Sequence, residues 1–278
     1  MDELRRTLTT YAYNILGVVE DAKDVVQDAY MKFSTIDQQL IEDKRAYLIR
    51  TVINLSINLK KKRQKQLPEY RGQWLPEPVA AETADAGIIG KETLTYSLMT
   101  LLEKLNPKHR AVFILKEAYD YSHEEIADAI GISSENSRKI LTRARDILHQ
   151  DAPVSAPKQQ EESVGNYVDA MRKGDLARLE KLLNHDIELL SDGGGKVSAT
   201  LKPLVGRKTV VAFVAGVFRK FYQYHILEQG WVNQQPAIFY YHEGKMVNCQ
   251  VFTVRNGEIT NIYFMRNPDK LKFLQKNP

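Results

Sequence analysis

Six polar or charged residues between positions 135 and 143 could hydrogen-bond to the bases or phosphates of a nucleic acid. They are Glu135, Asn136, Ser137, Arg138, Lys139 and Arg143. Arginine, lysine and asparagine side chains make many of the contacts by which proteins read base edges in the DNA major groove. The chemistry that this group suggests is recognition of DNA. An ordinary solvated basic helix face is the alternative interpretation.

The apolar pattern around these residues predicts a helix-turn-helix over positions 121–148. Ile126 and Ile130 repeat at helical spacing, Gly131 breaks the pattern, and Ser133 or Ser134 can cap a second helix. In such a motif the second helix enters the major groove with its N-terminal residues on the bases. The pattern therefore places all six residues on the helix that would face DNA.

A second group of possible DNA ligands lies on a helix predicted from about Lys44 to Lys62, with Leu48, Val52, Leu55 and Leu59 as its core stripe. Its cations and amides are Arg45, Arg50, Asn54, Asn58, Lys61 and Lys62, and five of the six residues from Lys60 to Lys65 are basic. Together with Tyr47, these groups suit a surface that holds a separated DNA strand by stacking and phosphate contacts. A solubilising helix end is the alternative.

An acidic helix precedes this basic one. Asp21 is the predicted N-cap, and Asp24, Gln27 and Asp28 lie on the polar face. Residues 1–43 contain nine acids and four bases, whereas residues 44–65 contain eight bases and no acid. The segregation suits a protein that meets both a basic protein partner and a phosphate backbone. Favourable helix-start electrostatics would also explain the carboxylates.

Length and composition limit the remaining possibilities. The 278 residues suffice for two or three domains, and 43% hydrophobic with 27% charged residues is typical of a globular chain. No apolar run is long enough to span a bilayer, and the N-terminus lacks the order of a signal peptide, so we expect a cytoplasmic protein. The lone Cys249 excludes an internal disulfide and is expected to be a buried thiol. We expect no metal site and no cofactor.

The expected domain order is two all-α domains followed by an α+β domain. The boundaries are 1–66 for the first helical domain, 67–90 for a proline-containing connector, 91–150 for the helix-turn-helix domain, 151–160 for a linker and 161–278 for the last domain. Lys91 to Leu105 resumes helical periodicity. The connector contains Trp74 and Leu75, which suggests that it packs along a surface, either of a partner or of its own domain.

The last domain is predicted to be a curved antiparallel sheet wrapped over helices. Helical segments are expected at Ser163 to Leu183 and around Thr209 to Phe221. The predicted strands are IELLSD, KVSATL, GWVNQQPAIFYYHEG, KMVNCQVFTVRNG and EITNIYFMRN, with turns at HEG and RNG.

The first 150 residues resemble an extracytoplasmic-function sigma factor of bacterial RNA polymerase. The resemblance lies in AYNILGVVEDAKDVVQDAYMKF, in KRAYLIRTVINLSINLKKKR and in the segment from LLEKLNPKHR to LTRAR. It implies that Asp24, Gln27 and Asp28 contact core polymerase. It further implies that the cations and amides of the 44–62 helix bind minus-ten DNA, and that the six residues of the helix-turn-helix bind minus-thirty-five DNA.

The remainder resembles a SnoaL-like domain of the nuclear-transport-factor-two-like fold, in a subgroup that fuses it to a sigma factor. Three motifs carry this resemblance: WLPEP, DGGGK and NPDKL. The implied regulatory contacts are Trp74, Leu75, Pro76, Asp192, Gly193, Gly194, Gly195, Lys196, Asn267, Pro268, Asp269 and Lys270. The resemblance implies that the extension modulates its own sigma domains in place of a separate anti-sigma protein. From the residues alone, DGGGK could equally be a tight loop, and NPDKL reads as a capped helical turn with Asn267 as the cap.

Two other functions remain open at this level. The same fold hosts enzymes, for which the candidate residues would be His185, Asp186, His225, Tyr240, Tyr241 and His242. Sequence spacing cannot show whether such groups meet in one cavity, and fold analogy is weak evidence for catalysis. An unknown small ligand could instead bind there. A repressor with a ligand domain is the third class, but it would have no use for the basic helix at 44–65.

Overall fold

A computed structural model describes residues 2–37, 41–66, 69–70, 72–81, 87, 89, 92–148, 155–272 and 274. The chain folds as two compact units. The first contains Met1–Pro68 and Ala84–Gln150, and the second contains Glu69–Thr83 and Asp151–Pro278. Part of the expected connector therefore belongs to the second unit. Among the described residues, no helix combines the length and the apolar character that a membrane span requires.

Seven described helices build the first unit. They are α1 (Asp2–Leu16), α2 (Val19–Ser34), α3 (Lys44–Gln66), α4 (Tyr96–Leu101), α5 (Pro107–Glu117), α6 (His123–Ile130) and α7 (Ser134–Leu148), with a 3-10 turn at Leu102–Lys104. Each turns an apolar face inward, and Leu8, Val52, Met99 and Ala111 are fully buried. The all-α character expected for this part of the chain is confirmed.

Local sequence determines the helix-turn-helix formed by α6 and α7. Ser122 and Glu125 form a reciprocal capping box at the start of α6. Gly131 ends that helix with φ 71°, a left-handed conformation that glycine adopts without steric cost. The side chain of Ser133 accepts a hydrogen bond from the backbone N–H of Asn136 at 3.2 Å, which satisfies a free donor at the start of α7.

Three expectations about the earlier helices need correction. Helix α2 begins at Val19 without a side-chain cap, and Asp21 instead binds Arg63. Leu48 and Val52 of α3 are buried as expected, but Leu55 and Leu59 are only half-buried, and Ile49, Ile53 and Ile57 complete the buried face. The helical segment expected at 91–105 begins only at Tyr96, where Thr95 caps α4 by accepting a hydrogen bond from Leu98 N–H, and it continues through the 3-10 turn to Lys104.

The second unit is a six-stranded sheet with helices packed against it. Its elements are α8 (Pro157–Lys173), α9 (Leu176–Leu182), β1 (Leu183–Asp192), β2 (Leu204–Val205), α10 (Arg207–Val217), β3 (Ile226–Val232), β4 (Gln235–His242), β5 (Lys245–Arg255), β6 (Glu258–Met265) and α11 (Pro268–Leu271), with a π-helical turn at Phe218–Tyr222 after α10. The strand order is β2-β1-β6-β5-β4-β3, with only β1 and β6 parallel. This is the expected α+β layout.

One apolar core joins the helices of the second unit to one face of the sheet. Tyr167 from α8, Val214 from α10 and Tyr222 from the π-helical turn meet Tyr240 and Phe252 from β4 and β5. The ring centroids of Tyr222 and Tyr240 are 4.8 Å apart. Because α10 turns its valines into this core, its opposite side is left to solvent.

The strand prediction was wrong at two places, and the linker prediction at one. KVSATL forms no strand, and the short strand that follows it, Leu204–Val205, pairs with β1 instead. The long segment 230–244 is divided between β3 and β4, because Asn233 (φ 45°) and Gln234 (φ 61°) form a hairpin turn. The expected linker 151–160 ends early, because Pro157 starts α8 at a position where its missing N–H costs nothing.

Candidate nucleic-acid and regulatory surfaces

Helix α7 presents five of the six predicted DNA ligands to solvent: Glu135, Asn136, Arg138, Lys139 and Arg143. The sixth, Ser137, is fully buried, and its hydroxyl oxygen lies 2.9 Å from His123 Nδ1. The prediction that Ser137 faces DNA was therefore wrong, because it lies on the same side of α7 as the buried residues Ile140, Leu141 and Ala144. Ser137 instead fastens α7 to α6.

Two of the cations of α7 that were predicted to bind DNA form exposed ion pairs within the protein. Arg138 pairs with Glu124 at 3.0 Å and Lys139 with Glu135 at 2.7 Å, and all four side chains are more than half exposed. Exposed pairs of this kind contribute little to stability. Either cation can therefore exchange its carboxylate for a phosphate or a base edge at small cost.

Helix α3 carries its predicted ligands on its outer side, but two of them contact α6. Arg45, Arg50, Asn58, Lys61 and Lys62 are exposed, and Asn54 is half-buried. Arg50 forms an ion pair with Asp128, and Asn54 Nδ2 donates to the Ala129 carbonyl at 2.7 Å. In this conformation the helix-turn-helix occupies two of the polar groups of α3 that were predicted to bind DNA.

The C-terminal end of α3 exposes fewer cations than the sequence suggested. Lys60 is 3% exposed and donates to the Leu16 carbonyl at 3.0 Å and to both carboxylate oxygens of Glu103 at 2.8 Å. The fully buried Arg110 binds the same carboxylate. Burial acts to raise the pKa of Glu103, but Arg110 and Lys60 outweigh it and leave this pKa below its usual value. Lys60 therefore belongs to the core and is not available to phosphates.

Helix α2 holds Asp24, Gln27 and Asp28 together on one exposed face. All three side chains are exposed, whereas Val25, Val26 and Ala29 on the other side are buried. Residues at spacing i, i+3 and i+4 are neighbours on a helix, so the two carboxylates form a compact acidic surface. Such a surface suits a basic protein partner.

The motifs WLPEP, DGGGK and NPDKL converge on one buried carboxylate in the second unit. Asp192, fully buried at the end of β1, accepts hydrogen bonds from Tyr70 Oη at 2.5 Å and Leu75 N–H at 3.0 Å. It also accepts from Gly194 N–H at 2.9 Å and from Lys270 Nζ at 2.7 Å. Burial and the Asp192 carboxylate both raise the pKa of Tyr70, which keeps its phenol protonated. We call Tyr70, Trp74, Leu75, Asp192 and Lys270 the connector clamp.

Lys270 holds the connector in a second way. Its Nζ donates to the Leu75 carbonyl at 2.5 Å and lies 4.3 Å from the ring centroid of Trp74. A desolvated ammonium group over an indole face gains cation–π attraction in addition to its ion pair. NPDKL is thus the capped turn expected from its sequence, with Asn267 accepting a hydrogen bond from Asp269 N–H. The same turn places Lys270 next to Asp192.

The glycines of DGGGK allow this close packing. Gly194 has φ 64°, and a Cβ at this position would lie only 2.5 Å from Asn267 Cγ. The two charged residues that flank these glycines have different partners and exposures. Lys196 is exposed and pairs with Asp269 at 2.6 Å, while Asp192 pairs with Lys270.

The connector continues along the edge of the sheet. Val79 N–H donates to Asn233 Oδ1 at 2.8 Å, Asn233 N–H donates to the Val79 carbonyl at 3.0 Å, and Ala81 N–H donates to the Trp231 carbonyl at 3.0 Å. Ala80 forms an isolated bridge with Val232. Sequence reasoning missed Tyr70 and Asn233, since both lie outside the recognised motifs. The one signal for Asn233 was its residue type, since asparagine tolerates the positive φ that a tight hairpin turn requires.

The residues considered for catalysis do not converge. His185 and Asp186 lie 2.8 Å apart but are each 86% exposed, on a bulged part of β1. His225 and His242 stack at 4.6 Å, Tyr240 is buried in the core, and Tyr241 is half-buried. Among the described residues, no group of three or more His, Cys, Asp or Glu side chains could hold a metal ion.

Comparisons with known proteins agree with this arrangement. Sigma-70 region 2 matches residues 1–66, and sigma-70 region 4 matches residues 96–148. The ECF RNA polymerase sigma factor SigJ of Mycobacterium tuberculosis is 29% identical over 298 residues, which cover 97% of this chain and 91% of SigJ. The RNA polymerase sigma-E factor of Streptomyces coelicolor is 31% identical over 139 residues, which cover 47% of this chain and 71% of that protein.

A crystal structure of the Mycobacterium tuberculosis extracytoplasmic function sigma factor SigJ superimposes with a TM-score of 0.80 at 28% identity. The match covers 98% of this chain and 96% of that chain, so it includes the second unit as well as the helical part. The chain belongs to the extracytoplasmic-function sigma factors of the sigma-70 family, and it is an alternative sigma factor that initiates transcription.

Proposed function

We propose that α2 binds core RNA polymerase, α3 holds the separated minus-ten strand, and α7 reads the minus-thirty-five duplex. We further propose that the SnoaL-like second unit restrains these steps in cis through the connector clamp. The protein acts in the cytoplasm on core polymerase and promoter DNA, and no catalytic step is assigned to the second unit.

The observation that carries the regulatory proposal is the burial of the connector on Asp192 and Lys270. The connector joins α3 to α4, so its residues are the tether between the two sigma domains. A tether held at Leu75 and along 79–81 has less length with which those domains can separate than a free one. The contact of α3 with α6 supports the same view, because Arg50 and Asn54 must leave Asp128 and Ala129 before they can hold DNA.

Transcription reconstituted from purified core polymerase and this chain on genomic promoter templates tests the sigma assignments. Charge reversal at Asp24 and Asp28 should reduce polymerase affinity and leave the fold intact. Charge reversal at Glu180, an exposed carboxylate of the second unit, is the matched control. Unchanged polymerase affinity in the Asp24/Asp28 variant would remove the assignment of α2.

Release of the clamp tests the regulation. Asp192→Ala should raise output from a cognate promoter, because the connector loses its anchor. Lys196→Ala, which breaks only the exposed pair with Asp269, should leave output unchanged. Equal output from Asp192→Ala and the wild-type chain would eliminate regulation through the clamp, and reduced output would show that the clamp assists initiation.

A second candidate function, recognition of a small polar ligand, rests on buried polar groups in the core of the second unit. The side-chain amide nitrogen and oxygen of Asn248, Gln250 Oε1, and the hydroxyls of Tyr167 and Tyr222 are buried without a hydrogen-bond partner among the described residues. Cross-strand pairing puts Asn248 opposite Tyr240 and Gln250 opposite Ile238, on the core side of the sheet.

Unpartnered buried polar groups each cost about 1–3 kcal/mol, so a cluster of them favours a bound polar molecule. Native mass spectrometry of the full chain purified from its host should show a small retained mass that Asn248→Leu abolishes. A mass for the full chain that equals the mass calculated from its sequence would exclude a stably bound ligand.

A further inference from the structure

The second unit contains a long stretch in which every charged residue is basic. Most of these residues have no role in the proposed sigma functions or in the connector clamp. Between Asp192 and Glu228 the sequence contains six lysines and arginines and no aspartate or glutamate. This stretch runs from the DGGGK loop through β2, α10 and the π-helical turn. Lys196 is paired with Asp269, and Arg207 lies 3.9 Å from Glu258. The other four, Lys202, Lys208, Arg219 and Lys220, are exposed and form no ion pair with a described residue.

Helix α10 arranges three of these cations along one outer side. Val210, Val211 and Val214 face the core, which leaves Lys208, Thr209, Ala212 and Gly216 to solvent, followed by Arg219 and Lys220 on the π-helical turn. We call these six residues the α10 ridge. A Cβ added to Gly216 would have no atom within 4 Å, so the centre of the ridge is open.

The ridge has the dimensions of a phosphate-contacting surface. Lys208 and Arg219 are eleven positions apart in the sequence, which at a helical rise of 1.5 Å per residue corresponds to roughly 16 Å. A B-DNA strand carries a phosphate about every 3.4 Å along its axis, so this span covers about five phosphates of one strand. Small side chains between the cations let the helix backbone approach a duplex closely.

The chemistry of the ridge favours a nucleic-acid backbone over a membrane. A helix that lies in a bilayer interface presents large apolar side chains to the lipid. Those of α10 are turned into the core, and its outer side carries only hydroxyl, methyl and cationic groups. Large exposed apolar side chains lie outside the helix, at Leu201 and Val205 before it and at Phe221, Tyr224 and Ile226 after it. Lys220 Nζ lies 5.1 Å from the ring centroid of Phe221.

We propose that the α10 ridge binds the phosphate backbone of duplex DNA without sequence preference. The second unit would then be a third DNA-contacting part of the chain, in addition to α3 and α7. A sigma factor held at a promoter experiences a high local concentration of duplex, so a few weak phosphate contacts suffice for occupancy. The binding free energy arises from release of counterions and therefore falls steeply with salt concentration.

The test measures binding of the full chain to a short duplex of random sequence over a series of salt concentrations. Lys208→Ala/Arg219→Ala/Lys220→Ala should weaken binding and reduce the salt slope by about 2 to 3, one for each lost phosphate contact. The control Lys158→Ala/Lys173→Ala/Lys245→Ala removes the same charge from exposed lysines elsewhere in the second unit and should retain the slope. Ala212→Glu keeps every cation but adds a negative charge to the ridge, so it should also weaken binding. This second variant tests the proposal if the triple variant folds poorly.

Equal salt slopes for the two triple variants would overturn the proposal. The proposal would also be overturned if the ridge variant bound DNA as well as the wild-type chain does but no longer bound phosphatidylglycerol vesicles. The ridge would then be a lipid-binding surface. The duplex lacks promoter elements and the assay contains no polymerase. If the chain failed to start transcription with core polymerase, the proposed sigma functions would be wrong, but the salt dependence of duplex binding would still test the α10 ridge.

Discussion

Asp192 and Lys270 show how much a single buried ion pair can organise. Their side chains are 0% and 10% exposed, and every oxygen of the carboxylate has a donor from the connector, the DGGGK loop or α11. A buried pair rarely adds much net stability compared with an apolar pair, but removing one partner leaves the other charge uncompensated. The clamp therefore fixes where the connector lies.

Lys270→Met removes the ammonium group and keeps most of the stem over Trp74. We expect the second unit to lose about 3–5 kcal/mol of unfolding free energy, since Asp192 is left charged and buried. Denaturant unfolding followed through tryptophan fluorescence measures this. Lys196→Met, at an exposed pair, should cost below about 1 kcal/mol. Similar losses for both variants would show that burial of the Lys270 pair is unimportant.

Glu103 gives the first unit an acid-sensitive contact. Its folded-state pKa lies below the usual 4.5, because Arg110 and Lys60 hold the charged form against the opposing effect of burial. The stabilisation is thus complete above pH 4.5 and is lost as pH falls through the folded-state pKa. The difference in unfolding free energy between the wild-type chain and Glu103→Gln should shrink as pH decreases below that value. A difference that stays constant from neutral to acid pH would contradict this assignment.

The motif residues could be located from the sequence, but their partners could not. Asp192, Lys270 and Trp74 were all named as candidates for an interdomain contact, since their motifs are short and specific. That Asp192 pairs with Lys270 and not with the nearby Lys196 depends on the β1–β6 pairing, which brings distant segments together. The burial of Ser137 and Lys60 does not follow from the helical pattern, because the buried side of a helix can carry a polar residue whose partner, here His123 or Glu103, lies on another element.

At the scale of elements, local signals predicted helices better than strands. The capping box at Ser122 and the left-handed Gly131 fix the helix-turn-helix within a few residues. KVSATL alternates like a strand but has no neighbour to pair with, and a strand needs one. The break between β3 and β4 was missed because Asn233 and Gln234 form a tight turn without glycine.

The contact between α3 and α6 predicts that DNA binding by α3 is suppressed in the free chain. Asp128→Ala removes the partner of Arg50 and should strengthen binding to a single-stranded minus-ten oligonucleotide. Asp146→Ala deletes an exposed acid of the same charge from α7 and should not change that affinity. Fluorescence anisotropy measures both. Equal affinities for Asp128→Ala and the wild-type chain would mean that the ion pair does not compete with DNA.

At the scale of the whole molecule, the chain passes from the first unit to the second and back before it completes the second. Residues 69–83 interrupt the sigma domains in sequence, yet they fold with a domain that begins well after them. Neither composition nor periodicity could predict this arrangement, because residues 72–79 form no helix or strand and the connector contacts described above are all with residues distant in sequence.

Hydrogen exchange can measure how firmly the connector is held. The amides of Leu75, Val79 and Ala81 each donate a hydrogen bond within the second unit and should exchange slowly in the full chain. Asp192→Ala should accelerate exchange at Leu75 most, because its acceptor is lost, while amides in the centre of β5 stay protected. Fast exchange throughout 72–81 in the unmodified chain would show that the connector is not held in solution.

The separation of 195 residues between Leu75 and Lys270 has a consequence for protein synthesis. Domains fold as they leave the ribosome, N-terminal first, at roughly 5–20 residues per second. The last helix of the first unit ends at Leu148 and α11 begins at Pro268, so the sigma helices are complete roughly 6–24 seconds before α11 is translated. During that interval the connector of each nascent copy lacks Lys270, so the restraint that we propose for the second unit begins only once α11 has been made.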